Sequence, residues 1–502
     1  MTETAFNAAG MDRDVAPQSG MQGILQWLES PIAQQPVAEI TSLRSQMTAL
    51  HETAATPPQR ARALDGLYTR CVAAVSSMLP TLLGDLTLPV PYRTRRVVES
   101  TLDLLQMLAD DLLATLQEGP TAHPSLESTL WQSVHVLAQQ LMICHLIASP
   151  APAGTWQRLH ETYVTARRLH VHLAVPKGRA RSLREVYHSA ILLGCAQPAS
   201  LTPREVLFLA TYFEHFADQI ELLPPAPTAD PGTFLIDPAR DLPALSSLHK
   251  AARPATPLDC FSCLRLCLLL KAQMAQLDAG ISPTALKLPD FAGTSAGRGV
   301  LGRLAARWGD PGKRRFLRRR QSQRMILGAG IDGLWELSKN GESAQVELSD
   351  WMITNESPDG YAVMHVSGET GALSVGDVAA VRTGAEQNWQ ICLVRWAVSE
   401  NPEHLELGLQ ILAPKAVPAI LAQPSATSGT EHLRVLILPE IPKLRSGQSL
   451  VVAADALPKD RKRLLLVIDG ENVVVREVNS TCVDEQTGSV EILSIEPDPN
   501  PF

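Results

Sequence analysis

From about Pro36 to Leu223 apolar residues return every three to four positions, stretch after stretch, and each stretch is cut off by Gly or Pro. Leu102, Leu105, Leu108, Leu112 and Leu116 form one stripe, stopped by Gly119-Pro120. Leu126, Leu130, Val134, Leu137, Leu141 and Cys144 form the next, stopped by Pro150. Thr202-Pro203-Arg204-Glu205 spells a capping box with Pro in the first turn, and Ser182-Leu-Arg-Glu185 spells another. Past about residue 313 the period changes to two. Leu405, Leu407, Leu409 and Ile411 alternate with Glu406, Gly408 and Gln410, the pattern of a half-buried strand. A chain whose helical and extended patterns are segregated in this way is an α+β multidomain protein, not a βαβ protein.

The punctuation divides the 502 residues further. A polar tail over 1–25 is expected to be disordered, and residues 30–280 to form an all-α helical array or bundle. Helix pairs with short turns, and Trp156-Gln-Arg-Leu159 before Tyr163 and Ala166, are faintly TPR-like, but no strict 34-residue period emerges. An irregular bundle remains an equal alternative. Eight prolines between Pro224 and Pro257 mark an insertion over 222–257 around the extended piece Gly232–Asp237, with helix resuming over Leu258–Leu277. Residues 281–312 read as a linker. Strands are expected at Met325–Leu327, Ala344–Leu348, Tyr361–Val366, Val378–Arg382, Trp389–Trp396 and Leu405–Leu412, enough for a six-stranded antiparallel barrel over 313–418. After a Pro/Ala/Ser linker, Pro414–Gly429, a small β-rich domain is expected over 430–496.

Charge narrows the function. Between Arg303 and Arg324 there are nine Lys and Arg against one Asp, a local +8 in a chain of net charge −8, so the remainder carries −16. A concentrated cationic segment on an acidic protein points to one local anionic ligand, and the overall acidity argues against general nucleic-acid binding. No apolar run approaches ~18 residues, so membrane insertion is not expected. No export signal opens the chain, and a cytoplasmic location is the expectation. The scattered cysteines do not read as a disulfide framework. Cys260, Cys263 and Cys267 share one face of the expected helix with no second C-x-x-C or nearby His, so they are expected to pack rather than to hold a metal. With no phosphate-binding loop, no H-E-x-x-H and no acid–base constellation, no catalytic residue is assigned, no cofactor is expected, and an enzyme is the least supported class.

The remaining signal is a pair of short motifs. Arg320-Gln-Ser-Gln-Arg324 ends the Arg cluster, and 31 residues beyond Arg324 stands Asn355-Glu-Ser-Pro-Asp-Gly360. An R-x-x-x-R followed by [D/N]-x-S-x-x-G at strand edges resembles the ligand signature of PilZ domains, and Val375–Val378, Gln390–Trp396 and Leu405–Ile411 resemble that family's later strands. The resemblance implies a receptor for the bacterial second messenger cyclic di-GMP, bound by Arg320, Arg324, Asn355, Ser357 and Gly360, with Arg318 and Arg319 as auxiliaries. Arg guanidinium groups match phosphate oxygens and the guanine O6/N7 edge. Asn355 and Ser357, two apart on an extended segment, share a face toward a guanine. The frames Arg314/Arg318 and Arg315/Arg319 also fit R-x-x-x-R; Arg320/Arg324 is preferred because Arg324 directly precedes the expected strand. Asn stands for the commoner Asp, and Pro358-Asp359 for small apolar residues.

The resulting expectation is a cyclic di-GMP effector whose helical domain engages a protein partner. PilZ proteins commonly act on flagellar motility, type IV pili or biofilm. Two alternatives are a helical scaffold with a PilZ-like shell that does not bind nucleotide, and a nucleic-acid binder using the Arg run.

Overall fold

A computed structural model describes residues 20–117, 126–224, 230–248, 259–309, 316–370, 373–384, 388–401, 403–424, 430–441, 447–457, 463–469 and 473–497. Among these residues eight helices come first: α1 (Met21–Leu28), α2 (Pro36–Glu52), α3 (Pro57–Asp85), α4 (Tyr92–Gln117), α5 (Leu126–Leu146), α6 (Thr155–Arg168), α7 (Leu183–Cys195) and α8 (Pro203–Phe216). Both capping boxes are made. Ser182 Oγ accepts from Glu185 N–H at 3.3 Å while the Glu185 carboxylate accepts from Ser182 N–H at 2.7 Å. Thr202 and Glu205 do the same at 3.2 and 2.8 Å. Residues 1–19 of the expected tail lie outside the described residues, and from Met21 the chain is already helical because Met21 and Ile24 are buried.

α5 packs against α4, α6, α7 and α8 at once, so this is a bundle around a central helix and not a stacked array, in which each unit meets only its neighbours. Buried Arg70 ties α1, α2 and α3 together: its Nε donates to Glu39 Oε1 at 2.7 Å and its guanidinium lies 3.9 Å from the Trp27 ring centre.

The insertion contributes a four-stranded sheet of β1 (Glu221–Leu223), β2 (Thr233–Ile236), β3 (Leu245–Ser246) and β4 (Asp259–Ser262), ordered β1-β4-β2-β3. β4 falls where helix was expected, and α9 (Leu264–Asp278) starts only after Cys263. The three cysteines therefore do not form one helical stripe; each is nonetheless buried. The expected linker 281–312 also differs, since α10 (Ser295–Gly309) occupies it. Val300, Leu301, Leu304 and Trp308 sink into the helical core, where Trp308 stacks on Phe213. The Gly/Ser-rich approach to this helix hid its apolar face.

Two closed antiparallel barrels follow. The first comprises β5 (Arg319–Ala329), β6 (Leu348–Ser357), β7 (Gly360–Ser367), β8 (Val378–Arg382), β9 (Gln390–Asn401) and β10 (His404–Ala413), ordered β10-β7-β6-β5-β8-β9. Met325, Leu327, Trp351, Ile353, Leu407 and Leu409 are among the side chains that fill it. Where a strand was expected from Ala344, the strand begins only at Leu348. Between β5 and β6 runs α11 (Ile331–Asn340), which sequence reading did not foresee.

The second barrel, β11 (Val417–Pro424), β12 (Thr430–Leu438), β13 (Gln448–Ala453), β14 (Arg463–Asp469), β15 (Val473–Gln486) and β16 (Val490–Pro497), is as many-stranded as the first and begins inside the expected linker. It is no independent appendage. Leu334 and Trp335 of α11, Ile391 and Leu393 on the outside of β9, and Leu436 and Ile492 of the second barrel form one buried cluster. Trp335 Nε1 donates across it to Ala419 O at 2.9 Å. No helix among the described residues is long and apolar enough to cross a membrane.

Candidate ligand-binding site

β5 starts six residues earlier than its apolar pattern indicates. Arg319–Arg324 are all exposed, yet they pair with β6: Arg319 stands opposite Glu356, Arg320 opposite Asn355 and Arg324 opposite Met352, with a bulge between Arg320 and Gln323. Backbone hydrogen bonding to the long strand β6, rather than side-chain burial, holds this stretch extended. The sequence pattern carries no trace of that pairing.

At the end of β6 the chain turns through Pro358-Asp359 into β7. Ser357 and Gly360 are ladder partners, and Ser357 Oγ donates to Asp359 Oδ1 at 2.5 Å. Gly360 is there for close approach, not for φ: a Cβ at this position would lie 2.1 Å from Leu409 O on β10.

Around this turn opens a cleft of about 230 Å³. Asn355, Ser357 and Gly360 line it, together with Arg318 from the segment entering β5 and with Arg395 and Trp396 from β9. The sequence-derived set thus divides. Asn355, Ser357, Gly360 and Arg318 come together; Arg320 stands beside the cleft on the Asn355 ladder; Arg319 neighbours Glu356. Arg324, whose ladder partner is three residues from that of Arg320, sits about 10 Å further along at ~3.3 Å per residue and does not line the cleft. The reason given for the frame Arg320/Arg324, a place just before the strand, does not hold, since both residues are within β5. Arg314 and Arg315, which complete the other frames, lie outside the described residues.

Arg395 and Trp396 were read only as strand residues. Trp396 is half-buried on the cleft wall, its indole pressed on Gly408, where an added Cβ would come 1.8 Å from Nε1. A Trp opposite a Gly on adjacent strands is the signal that could have found it, because a glycine in an otherwise regular strand often marks close approach. Arg395 Nε donates to Gln410 Oε1 at 2.5 Å and Nη2 to Glu485 Oε2 at 3.0 Å. Tyr361 O–H donates to Gln390 Oε1 at 2.9 Å, and burial pushes its phenol up, so it stays a neutral donor. The cleft therefore presents guanidinium groups, an indole and the polar atoms of Asn355 and Ser357, groups able to meet phosphates and base edges. Glu356 and Asp359 bring two carboxylates that oppose an anion.

No group of His, Cys, Asp and Glu among the described residues could hold a metal ion. Gly293-Thr-Ser295-Ala-Gly297 fits G-x-S-x-G, the pattern of a hydrolase nucleophile turn. Here the serine follows a 3₁₀ turn rather than a strand, and its hydroxyl donates to Asp455 Oδ1 at 2.6 Å. It serves as a contact between α10 and the second barrel.

Comparison with known proteins agrees with this division of the chain. Residues 22–227 match the family described as cyclic-di-GMP receptor FimW, N-terminal domain, and residues 335–418 match the FimW middle PilZ domain. The second match begins past the Arg cluster and includes Asn355–Gly360. The chain is 22% identical over 419 residues to the cyclic-di-GMP receptor FimW of Pseudomonas aeruginosa, covering 68% of each protein. No solved structure matches. The first barrel is a PilZ domain, joined to a helical N-terminal domain of the kind found in that receptor.

Proposed function

We propose that this PilZ-domain chain is a receptor for cyclic di-GMP, with the messenger seated in the cleft between the β6–β7 turn and β9–β10. The observation that carries the reading is the convergence, at one open cleft of the PilZ barrel, of Asn355, Ser357 and Gly360 with Arg318 and the Trp396 indole. A cyclic dinucleotide presents two phosphates and two guanines, and this set offers a complement to each. Similarity to a protein described as a cyclic-di-GMP receptor supports the same class. The protein acts by binding, not catalysis. The helical bundle carries the output to a protein partner in the cytoplasm, in control of type IV pili or related surface behaviour.

Calorimetric titration with cyclic di-GMP, with GTP as control, tests the reading. Saturable binding of cyclic di-GMP alone is expected, and indifference to both nucleotides would leave the scaffold alternative. The same titration decides the arginine frame. Arg318→Ala is expected to cost at least tenfold in affinity, since a phosphate-bound guanidinium is worth about 2 kcal/mol or more. Loss in Arg320→Ala and Arg324→Ala with no loss in Arg318→Ala would restore the frame first read from the sequence.

A further inference from the structure

Two successive residues of the C-terminal barrel reach the ligand cleft and the helical domain, beside the Ser295–Asp455 contact. On β15, the Glu485 carboxylate holds Arg395 of the PilZ cleft at 3.0 Å. The adjacent Gln486 carbonyl accepts from Arg303 Nη1 of α10 at 3.0 Å. Arg303 Nη2 in turn donates to the buried Glu205 Oε1 of α8 at 2.6 Å. Beside these contacts the three domains line an open pocket of about 570 Å³. Arg395 and Trp396 line both that pocket and the ligand cleft, so they are the wall between the two.

We propose that Arg395 is a ligand-contacting residue that exchanges Glu485 for a ligand phosphate. The released segment Glu485–Thr487, where β15 ends, then transmits occupancy of the cleft through Arg303 to the helical domain. This rests on the reading of the cleft as the cyclic di-GMP site.

The exchange follows from electrostatics. A phosphate entering the cleft competes for the same guanidinium and meets Glu485 as a like charge, so the ligand-bound and Glu485-bound positions of Arg395 oppose one another. The backbone leaves the Gln486 carbonyl little freedom to stay behind. Gly299 of α10 lies so close that a Cβ there would sit 2.2 Å from Gln486 O, and the neighbouring Thr487 Oγ1 donates to Gly376 O of the PilZ barrel at 2.8 Å. A shift of Glu485 is therefore felt at α10 directly. Because the two barrels share a buried core, the movement is confined to this corner and to α10, and the barrels stay together. The C-terminal barrel thus acts as the connector between sensor and output.

Linkage sets the test: if ligand loosens the Glu485 contact, breaking that contact must tighten ligand by the same factor. The full-length protein and its Glu485→Gln and Arg395→Gln variants are titrated with cyclic di-GMP, and hydrogen exchange is followed over 295–309 and 484–491 with and without it. Glu485→Gln is expected to bind about two- to fivefold tighter, the scale of a partly exposed ion pair. Its exchange over both segments should be raised already without ligand. Arg395→Gln should bind at least tenfold more weakly. In the wild type, ligand should raise exchange over both segments. Binding in the wild type with no change there, or equal or weaker affinity in Glu485→Gln, overturns the relay and leaves the cleft assignment standing. No binding in the wild type overturns the cleft assignment itself and the relay with it.

Discussion

The indole of Trp396 lies directly on Gly408 across the β9–β10 pair, so closely that a Cβ on the glycine would fall 1.8 Å from Nε1. The absent side chain is what lets the ring lie against the barrel wall and face the cleft. Gly408→Ala must push the whole indole away, since a ring fused to its neighbours has no flexible end to yield. The expected outcome is a loss of cyclic di-GMP affinity of about tenfold, matching Trp396→Ala, for which a lost base–aromatic stack costs ~1–3 kcal/mol. Calorimetry on both variants checks this. Full affinity in either one would remove the indole from the site.

Asp359 holds the Ser357 hydroxyl at 2.5 Å and adds a negative charge to the cleft. Removing it frees Ser357 for a ligand and lifts a repulsion against phosphate. Asp359→Ala is expected to tighten cyclic di-GMP by roughly threefold to tenfold, about 1 kcal/mol. The gain should shrink at high salt, because a partly exposed like charge is screened. Weaker binding would mean that the Asp359–Ser357 contact shapes the turn for the ligand.

The helical bundle carries its own pH dependence. His188 is buried on α7, and burial, reinforced by Arg184, lowers its pKa from 6.5 to about 3; burial likewise takes His145 on α5 to about 4. In both cases the folded value lies below the unfolded one, so the unfolded chain binds protons first. Their contribution to stability is complete above about pH 6.5 and is lost as pH falls toward about 4 for His145 and about 3 for His188. At pH 5 His188 alone should cost about 2 kcal/mol, from 1.36 kcal/mol for each pH unit below 6.5. Urea unfolding at pH 7.5 and pH 5 should show the loss, and His188→Gln should reduce it by about 2 kcal/mol while the His145 part remains. A wild-type stability that does not change between those pH values would contradict the neutral buried imidazole.

What the sequence determined by itself is what short-range chemistry encodes. The stripe around Leu105, Leu108 and Leu112 and the boxes at Ser182 and Thr202 specify helices and their starts, because both are set within a few residues. The alternation at Leu405–Ile411 specifies a strand with its inner face, and the spacing of Asn355, Ser357 and Gly360 marks the turn that lies at the cleft. Tertiary structure decided what depends on partners distant in the chain. Arg319–Arg324 are held in β5 by ladder bonds to β6, which exposed arginines do not announce, and this leaves Arg318 lining the cleft and Arg324 outside its lining. The apolar face of α10 is buried because Phe213 and the helical core receive Trp308. Arg395 became a cleft residue through its place on β9 opposite β10, and its tie to Glu485 spans 90 positions. Such contacts exist only once the second barrel has closed against the first, because a shared core between two sheets has no period in either sequence.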